Sequence, residues 1–152
     1  MTDRVLVVED DDATSALLRS VLEGAGFGVT VLADGREAVD WAVAERPEAI
    51  VLDVALPGID GFEVLNRVRR DHRTAFTVVI LLTGRDDPGD RAYGFHLDAD
   101  DFVPKPFDPE DLVARLTGRV RRVREALSTS WAQLPGGAMV ERHVRNLMAD
   151  GR

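Results

Sequence analysis

Val5-Leu6-Val7-Val8-Glu9-Asp10-Asp11-Asp12 decides the fold. Four apolar residues, mostly β-branched, stop abruptly at four acids. A strand with one wet face alternates apolar and polar residues, whereas a strand covered on both faces is apolar throughout. Val5–Val8 is therefore predicted to be a strand inside a sheet that carries helices on both faces. Val29-Thr30-Val31-Leu32, Ala49-Ile50-Val51-Leu52 and Thr77-Val78-Val79-Ile80-Leu81-Leu82 repeat the pattern. Asp101-Phe102-Val103-Pro104 is a shorter fifth strand.

The segments between them have helical period. Residues 13–25 place Leu17, Leu18, Val21 and Leu22 on one face, and residues 36–45 bring Ala38, Trp41 and Ala42 together. Residues 61–70 align Phe62, Leu65 and Val68, and residues 87–96 form a short, weakly apolar helix. Residues 108–127 align Leu112, Leu116, Val120, Val123 and Leu127, with Asp108-Pro109 as N-cap and first-turn proline. Five strands alternating with five helices predict an α/β doubly wound domain with a parallel sheet in the order 2-1-3-4-5. The domain is expected to span residues 1–125. Residues 126–152 are read as a linker, centred on 128–138, and a short amphipathic helix over 139–149 carrying Val140, Val144, Leu147 and Met148.

Composition narrows the function. The 152 residues are 45% hydrophobic and 30% charged, as in a globular chain that can bury its own core. The absence of cysteine excludes disulfides, thiolate zinc sites and thiol catalysis. No apolar run reaches the roughly 18 residues of a membrane span, and the N-terminus runs into a strand without a signal peptide, so a cytoplasmic location is expected. Residues 113–152 hold eight Arg against Glu125, Glu141 and Asp150, a net +5, which leaves −13 on residues 1–112 of a chain with net charge −8. An acidic body of that kind is not expected to bind nucleic acid itself.

In doubly wound sheets, ligands sit beyond the carboxyl ends of the strands. Strand one ends in Glu9-Asp10, strand three in Asp53, strand four in Thr83, and strand five runs into Lys105-Pro106. With strands one and three adjacent, Glu9, Asp10 and Asp53 crowd together, and like charges so close call for a cation between them. Oxygen donors without His or Cys favour a hard ion such as Mg²⁺. One carboxylate free to attack phosphorus would form a phosphoaspartate, with Thr83 and Lys105 as donors to its oxygens. Lys105 is the only lysine among nineteen basic residues. A compact ammonium differs from a planar guanidinium, so its single use here points to the same site.

Val7-Val8-Glu9-Asp10-Asp11, Leu52-Asp53 followed by Leu56-Pro57-Gly58-Ile59-Asp60-Gly61, Leu82-Thr83-Gly84, and Ala99-Asp100-Asp101-Phe102-Val103-Pro104-Lys105-Pro106-Phe107 together resemble the receiver domain of two-component response regulators, over roughly residues 3–125. The resemblance implies a phosphorylation-controlled switch that takes a phosphoryl group from a sensor histidine kinase or phosphotransfer protein. It implies Asp53 as phosphoacceptor and Asp10, Asp53 and the backbone carbonyl of Ala55 as Mg²⁺ ligands, with Glu9 assisting through water. It further implies Thr83 and Lys105 as phosphoryl-binding residues, Thr83 and Phe102 as switch residues, and a cis Lys105-Pro106 peptide. Asp98 departs from the pattern: many receivers have Gly there, and a left-handed turn at this place would carry some strain. Ala55 is small, which leaves water access to a phosphoaspartate.

Two other readings compete. Asp10-Asp11-Asp12-Ala13-Thr14 fits the D-x-D-x-T motif of haloacid-dehalogenase-like phosphatases, with Asp10 as nucleophile and Asp12 as acid/base. That reading leaves Asp53 and the Pro57–Gly61 loop unexplained and leaves no room for a cap domain. Leu134–Arg142 faintly resembles the entry to diguanylate cyclase domains, so a truncated regulator of that class is an alternative output, while the tail is too short for a winged helix. The types and spacing of Arg91, Asp100, Asp101, Asp111, Arg115 and Arg122 resemble the charged face through which DNA-binding response regulators dimerise. The pairs expected are Arg91–Asp111, Asp101–Arg115 and Asp100–Arg122, against a plain solvated face.

Overall fold

Apolar side chains on both faces of β1 (Arg4–Val8) need two layers to cover them, and the chain supplies both. The computed structural model describes residues 2–84 and 88–133. After β1 come α1 (Asp12–Gly24), β2 (Gly28–Leu32), α2 (Gly35–Glu45), β3 (Ala49–Asp53), α3 (Gly61–Arg70), β4 (Val78–Thr83), α4 (Pro88–His96), β5 (Asp101–Pro104) and α5 (Pro109–Gln133). All strand pairs are parallel, in the order 2-1-3-4-5. Val5 and Val7 bury against α1 and α5, with Leu18, Leu22, Leu112 and Leu116. Leu6 and Val8 bury on the other face against α2 and α3, with Ala42, Leu65 and Val68. Each such leucine or valine contributes about 1.5–3 kcal/mol of apolar burial.

Aspartates start the helices. Asp11 accepts from the Thr14 N–H at 2.8 Å, Asp34 from Arg36 N–H at 2.8 Å, and Asp60 from Glu63 N–H at 3.0 Å. Asp108 accepts from the Glu110 N–H at 3.0 Å ahead of Pro109, as its sequence predicts. Each cap of this kind is worth about 1 kcal/mol. The helix α5 continues through Gln133, into the segment read as linker from 128. The helix expected over 139–149 lies outside the described residues.

One polar cluster inside the fold corrects the sequence reading. Arg69, 8% exposed, ends α3 under the β4–β5 edge. Its guanidinium donates to the carbonyls of Asp98 (2.9 Å) and Thr77 (2.5 Å), and to the Asp100 carboxylate at 2.6 Å. The same Asp100 oxygen accepts from the Val79 N–H at 2.8 Å. Asp100 was expected on the dimer face, paired with Arg122. Its carboxylate is instead committed to Arg69 and β4, because burial of the arginine requires a counter-charge. The sequence carried the signal: Arg69 falls four residues after Leu65 and seven after Phe62, on the apolar stripe. Asp98, where Gly was the alternative, is left-handed at φ 67°, and Arg69 holds its carbonyl.

Replacing Arg69 by Leu should therefore cost about 3 kcal/mol, because it strands Asp100 beside an apolar wall. The double variant Arg69→Leu/Asp100→Asn should recover part of the loss. Urea unfolding of both measures this; a single-variant loss below about 0.5 kcal/mol would show that the cluster holds nothing.

Candidate functional site

The register of the sheet brings the strand ends level. Val8 lies opposite Leu52, Asp53 opposite Leu82, and Thr83 opposite Pro104. The residues that follow β1, end β3, end β4 and follow β5 are therefore neighbours at one edge. Because β1 connects outward to β2 while β3 continues to β4, the helices diverge there and leave a crevice.

Glu9, Asp10 and Asp53 meet in this crevice, with one carboxylate oxygen from each within 4.8 Å of the others. Glu9 and Asp53 are buried, at 2% and 5% exposure, while Asp10 faces solvent. The Lys105 ammonium bridges the two buried acids. It donates to Glu9 Oε1 at 2.6 Å and lies 3.4 Å from Asp53 Oδ2. The other Glu9 oxygen accepts from the Asp10 N–H at 3.1 Å, and Asp53 Oδ1 accepts from the Ala55 N–H at 3.3 Å. Thr83, also buried, ends β4, and its carbonyl accepts from the Lys105 N–H at 2.6 Å, so β4 positions the lysine backbone. The Lys105-Pro106 peptide is cis.

Burial pushes Glu9 above the ordinary carboxylate range; Asp53 adds to the rise and Lys105 opposes it. Burial works to lower the Lys105 ammonium, but its bonds to Glu9 and Asp53 outweigh that and hold it above its ordinary value. The arrangement is an acidic pocket with one fixed cation and an open, acid-lined mouth.

The β3–α3 connection closes tightly under this pocket. A Cβ on Gly61 would collide with the Asp53 carbonyl oxygen and lie 2.7 Å from Val54 Cα, so only glycine fits where α3 begins. Gly58 supplies a left-handed turn at φ 78°. The Asp11–Thr14 cap, through both the N–H and the hydroxyl of Thr14, occupies the middle of the D-x-D-x-T stretch.

Phe102, adjacent to Asp101 on β5, is 2% exposed, and the Arg91 guanidinium lies 5.1 Å from its ring centroid. Arg115 turns back within its own chain to Asp101 at 3.1 Å and Asp111 at 2.9 Å. Arg122 is exposed on α5. The structure thus gathers Glu9, Asp10, Asp53, Thr83 and Lys105 at one edge, and sets Arg91, Asp101, Asp111, Arg115 and Arg122 on α4, β5 and α5, without Asp100.

A family model described as the response regulator receiver domain matches residues 5–117. The transcriptional activator protein IrlR of Burkholderia pseudomallei is 47% identical over 126 residues, covering 83% of this chain and 54% of that protein. The DNA-binding dual master transcriptional regulator RpaA of Synechocystis is 43% identical over 119 residues, or 78% of this chain and 49% of that one. The chain spans about half the length of these curated relatives. Among solved structures, the receiver domain of the Pseudomonas aeruginosa sensor histidine kinase PA1611, described with a magnesium ion in its active-site cleft, matches with a TM-score of 0.73. Its identity is 29%, over 79% of this chain and 98% of that one. The chemotaxis protein CheY4 of Vibrio cholerae matches with a TM-score of 0.73 and 33% identity, over 78% and 98%.

The Lys105 bridge has a pH signature. A folded-state carboxylate raised above its unfolded value binds protons more readily when folded, so its ionisation costs stability as pH rises. Lys105 limits that cost, and its own contribution persists until pH rises through its elevated folded pKa. Lys105→Met should lose roughly 1–3 kcal/mol near neutral pH, because it removes the cation that bridges Glu9 and Asp53. The loss should shrink at mildly acidic pH, because the raised Glu9 takes up a proton more readily than an ordinary carboxylate. Denaturant titrations at the two pH values test this; an equal loss at both would refute the coupling.

Proposed function

The chain belongs to the response regulator receiver domain family of two-component signalling, and on that premise we propose that Asp53 accepts a phosphoryl group from the phosphohistidine of a sensor histidine kinase or phosphotransfer protein. The observation that carries this reading is the Lys105 ammonium between Glu9 and Asp53 at the switch point, beside Thr83. An Asp53 carboxylate oxygen attacks phosphorus; the P–O bond forms as the P–N bond breaks, and the imidazole departs with the bonding electrons. Lys105 lies within reach of the incoming oxygens and exchanges part of its hold on Asp53 for them. Thr83 donates its hydroxyl to another oxygen.

Three crowded oxygen donors without nitrogen or sulfur suit Mg²⁺. Asp10 and Asp53, with the Ala55 carbonyl and with Glu9 through water, would hold it. Held there, the ion would supply a positive charge that offsets the carboxylates and a hard Lewis acid for phosphoryl oxygens, while Asp53 keeps one oxygen for attack. The magnesium in the PA1611 receiver supports the same assignment.

The switch runs through Thr83 and Phe102. Drawing the Thr83 hydroxyl to the phosphoryl group loosens the β4 end, and Phe102 repacks next to Arg91 on the α4–β5–α5 face. The transcriptional names of IrlR and RpaA favour a transcriptional output over a diguanylate cyclase one. A two-fold dimer through that face would use Arg91–Asp111 and Asp101–Arg115, with Arg115 exchanging its own Asp101 for the partner's. The chain acts in the cytoplasm and catalyses only its own phosphorylation and dephosphorylation. No helix among the described residues is long and apolar enough to cross a membrane.

With Mg²⁺ and acetyl phosphate, label should map to Asp53 and vanish in Asp53→Asn; label on Asp10 would select the phosphatase reading instead. Mg²⁺ alone should raise the melting temperature by mass action, an effect largely lost in Asp10→Asn. An identical Mg²⁺ shift in the variant would remove Asp10 from the site. Sedimentation of Arg115→Glu against wild type, with beryllofluoride, tests the dimer: unchanged association rejects the pairing.

A further inference from the structure

The loop from Asp53 to α3 carries Ala55, and its own backbone does little to hold it. Its ends are tied: the Val54 N–H donates to the Leu82 carbonyl at 2.9 Å, and the Gly61 N–H to the Val54 carbonyl at 2.8 Å. Between them, residues 55–59 make no backbone–backbone hydrogen bond among the described residues. Packing has to place them instead. Leu56 and Ile59 pack against the core under α2 and α3, and Ile59 meets the first residue of α2, Gly35. A Cβ on Gly35 would lie 2.8 Å from the Ile59 carbonyl oxygen, 2.8 Å from Ile59 Cγ1 and 2.9 Å from Val64 Cγ2.

Gly35 does not serve a left-handed turn. Its φ is not positive, whereas those of Gly26 and Gly58 are. Glycine costs a helix up to about 1 kcal/mol relative to alanine. The helix start is already capped by Asp34, which accepts from the N–H groups of Arg36 and Glu37. What glycine supplies at this place is close approach. One of the atoms it admits is a backbone oxygen, which cannot swing aside as the end of a side chain can. A Cβ there would therefore push the loop and α2 apart.

We propose that Gly35 is a positioning residue for the Mg²⁺ site: it seats the loop against the first turn of α2 and thereby sets where Ala55 stands beside Asp53. The inference rests on the Mg²⁺ reading given above. Ala55 joins the loop to the site directly, because its N–H donates to Asp53 Oδ1 at 3.3 Å and its carbonyl is the backbone ligand assigned to the ion. The loop is thus pressed between two glycines. Gly61 admits the Asp53 carbonyl on the side of the loop's own strand, and Gly35 admits Ile59 on the side of a neighbouring helix. The connection into that helix also borders the acids, since the Leu32 carbonyl at the end of β2 accepts from the Glu9 N–H at 3.0 Å. One helix start therefore sets the spacing of the acceptor loop relative to the acidic end of β1.

Amide NMR on the full chain, without Mg²⁺ or phosphodonor, reads the loop directly. In Gly35→Ala the Ala55 amide resonance should move, and a Mg²⁺ titration should show affinity lowered by roughly tenfold. Ile59→Ala empties the same seat without a collision. It should move the same resonance and weaken Mg²⁺ by a smaller factor. Val39→Ala removes packing farther along α2 and should leave both readings at wild-type values, which separates positioning from the packing of α2 alone. An Ala55 resonance unmoved in Gly35→Ala and Ile59→Ala would overturn the proposal. So would unchanged Mg²⁺ affinity in Gly35→Ala, or an equal effect from Val39→Ala. Should Gly35→Ala fail to fold, the resonance and the affinity in Ile59→Ala decide alone. A wild type that binds no Mg²⁺ would be a failure of the metal reading instead, and the Ala55 resonance would then decide the positioning by itself.

Discussion

Three carboxylates held at one sheet edge are the constraint on which the rest of this structure depends. Glu9, Asp10 and Asp53 repel one another, and two of them are buried. Nothing in their own chemistry would keep them together. The parallel register of β1 and β3 does, because Val8 is fixed opposite Leu52 by backbone hydrogen bonds and by side chains packed on both faces. The hydrophobic sheet supplies the free energy that holds an electrostatically unfavourable site, as functional sites commonly require. Lys105 offsets part of the repulsion, and its place follows from the hydrogen bond of its N–H to the end of β4.

A second polar centre works differently. Arg69 is buried for architecture and ties α3 to the turn before β5 and to the segment entering β4 through two carbonyls and the Asp100 carboxylate, which in turn accepts from the Val79 N–H of β4. A buried arginine contributes little net stability by itself, but its fork fixes the relative position of everything it touches. Here it fixes the α4–β5 turn, including the left-handed Asp98. Phe102 follows two residues after Asp100, so the buried aromatic next to Arg91 hangs from a rigid anchor on one side and from the Thr83 strand on the other.

The sequence by itself determined the sheet, its two-sided burial, the helix order and the acids at the strand ends. These are local or periodic properties: β-branched apolar runs, three-to-four spacing and aspartate caps act over a few residues. Val5–Val8 reads as an inner strand, and Asp108-Pro109 as a helix start, from a few residues each. The single lysine marked its site because residue choice there was chemically distinct. Tertiary structure alone decided which charges meet. Asp100 and Asp101 are neighbours in sequence and identical in type, yet one turns to Arg69 of α3 and the other to Arg115 of α5. Successive strand residues point to opposite faces, so one residue of register separates the two fates. Pairing across 31 residues of chain, as between Arg69 and Asp100, depends on how the layers stack, and no local pattern encodes that distance.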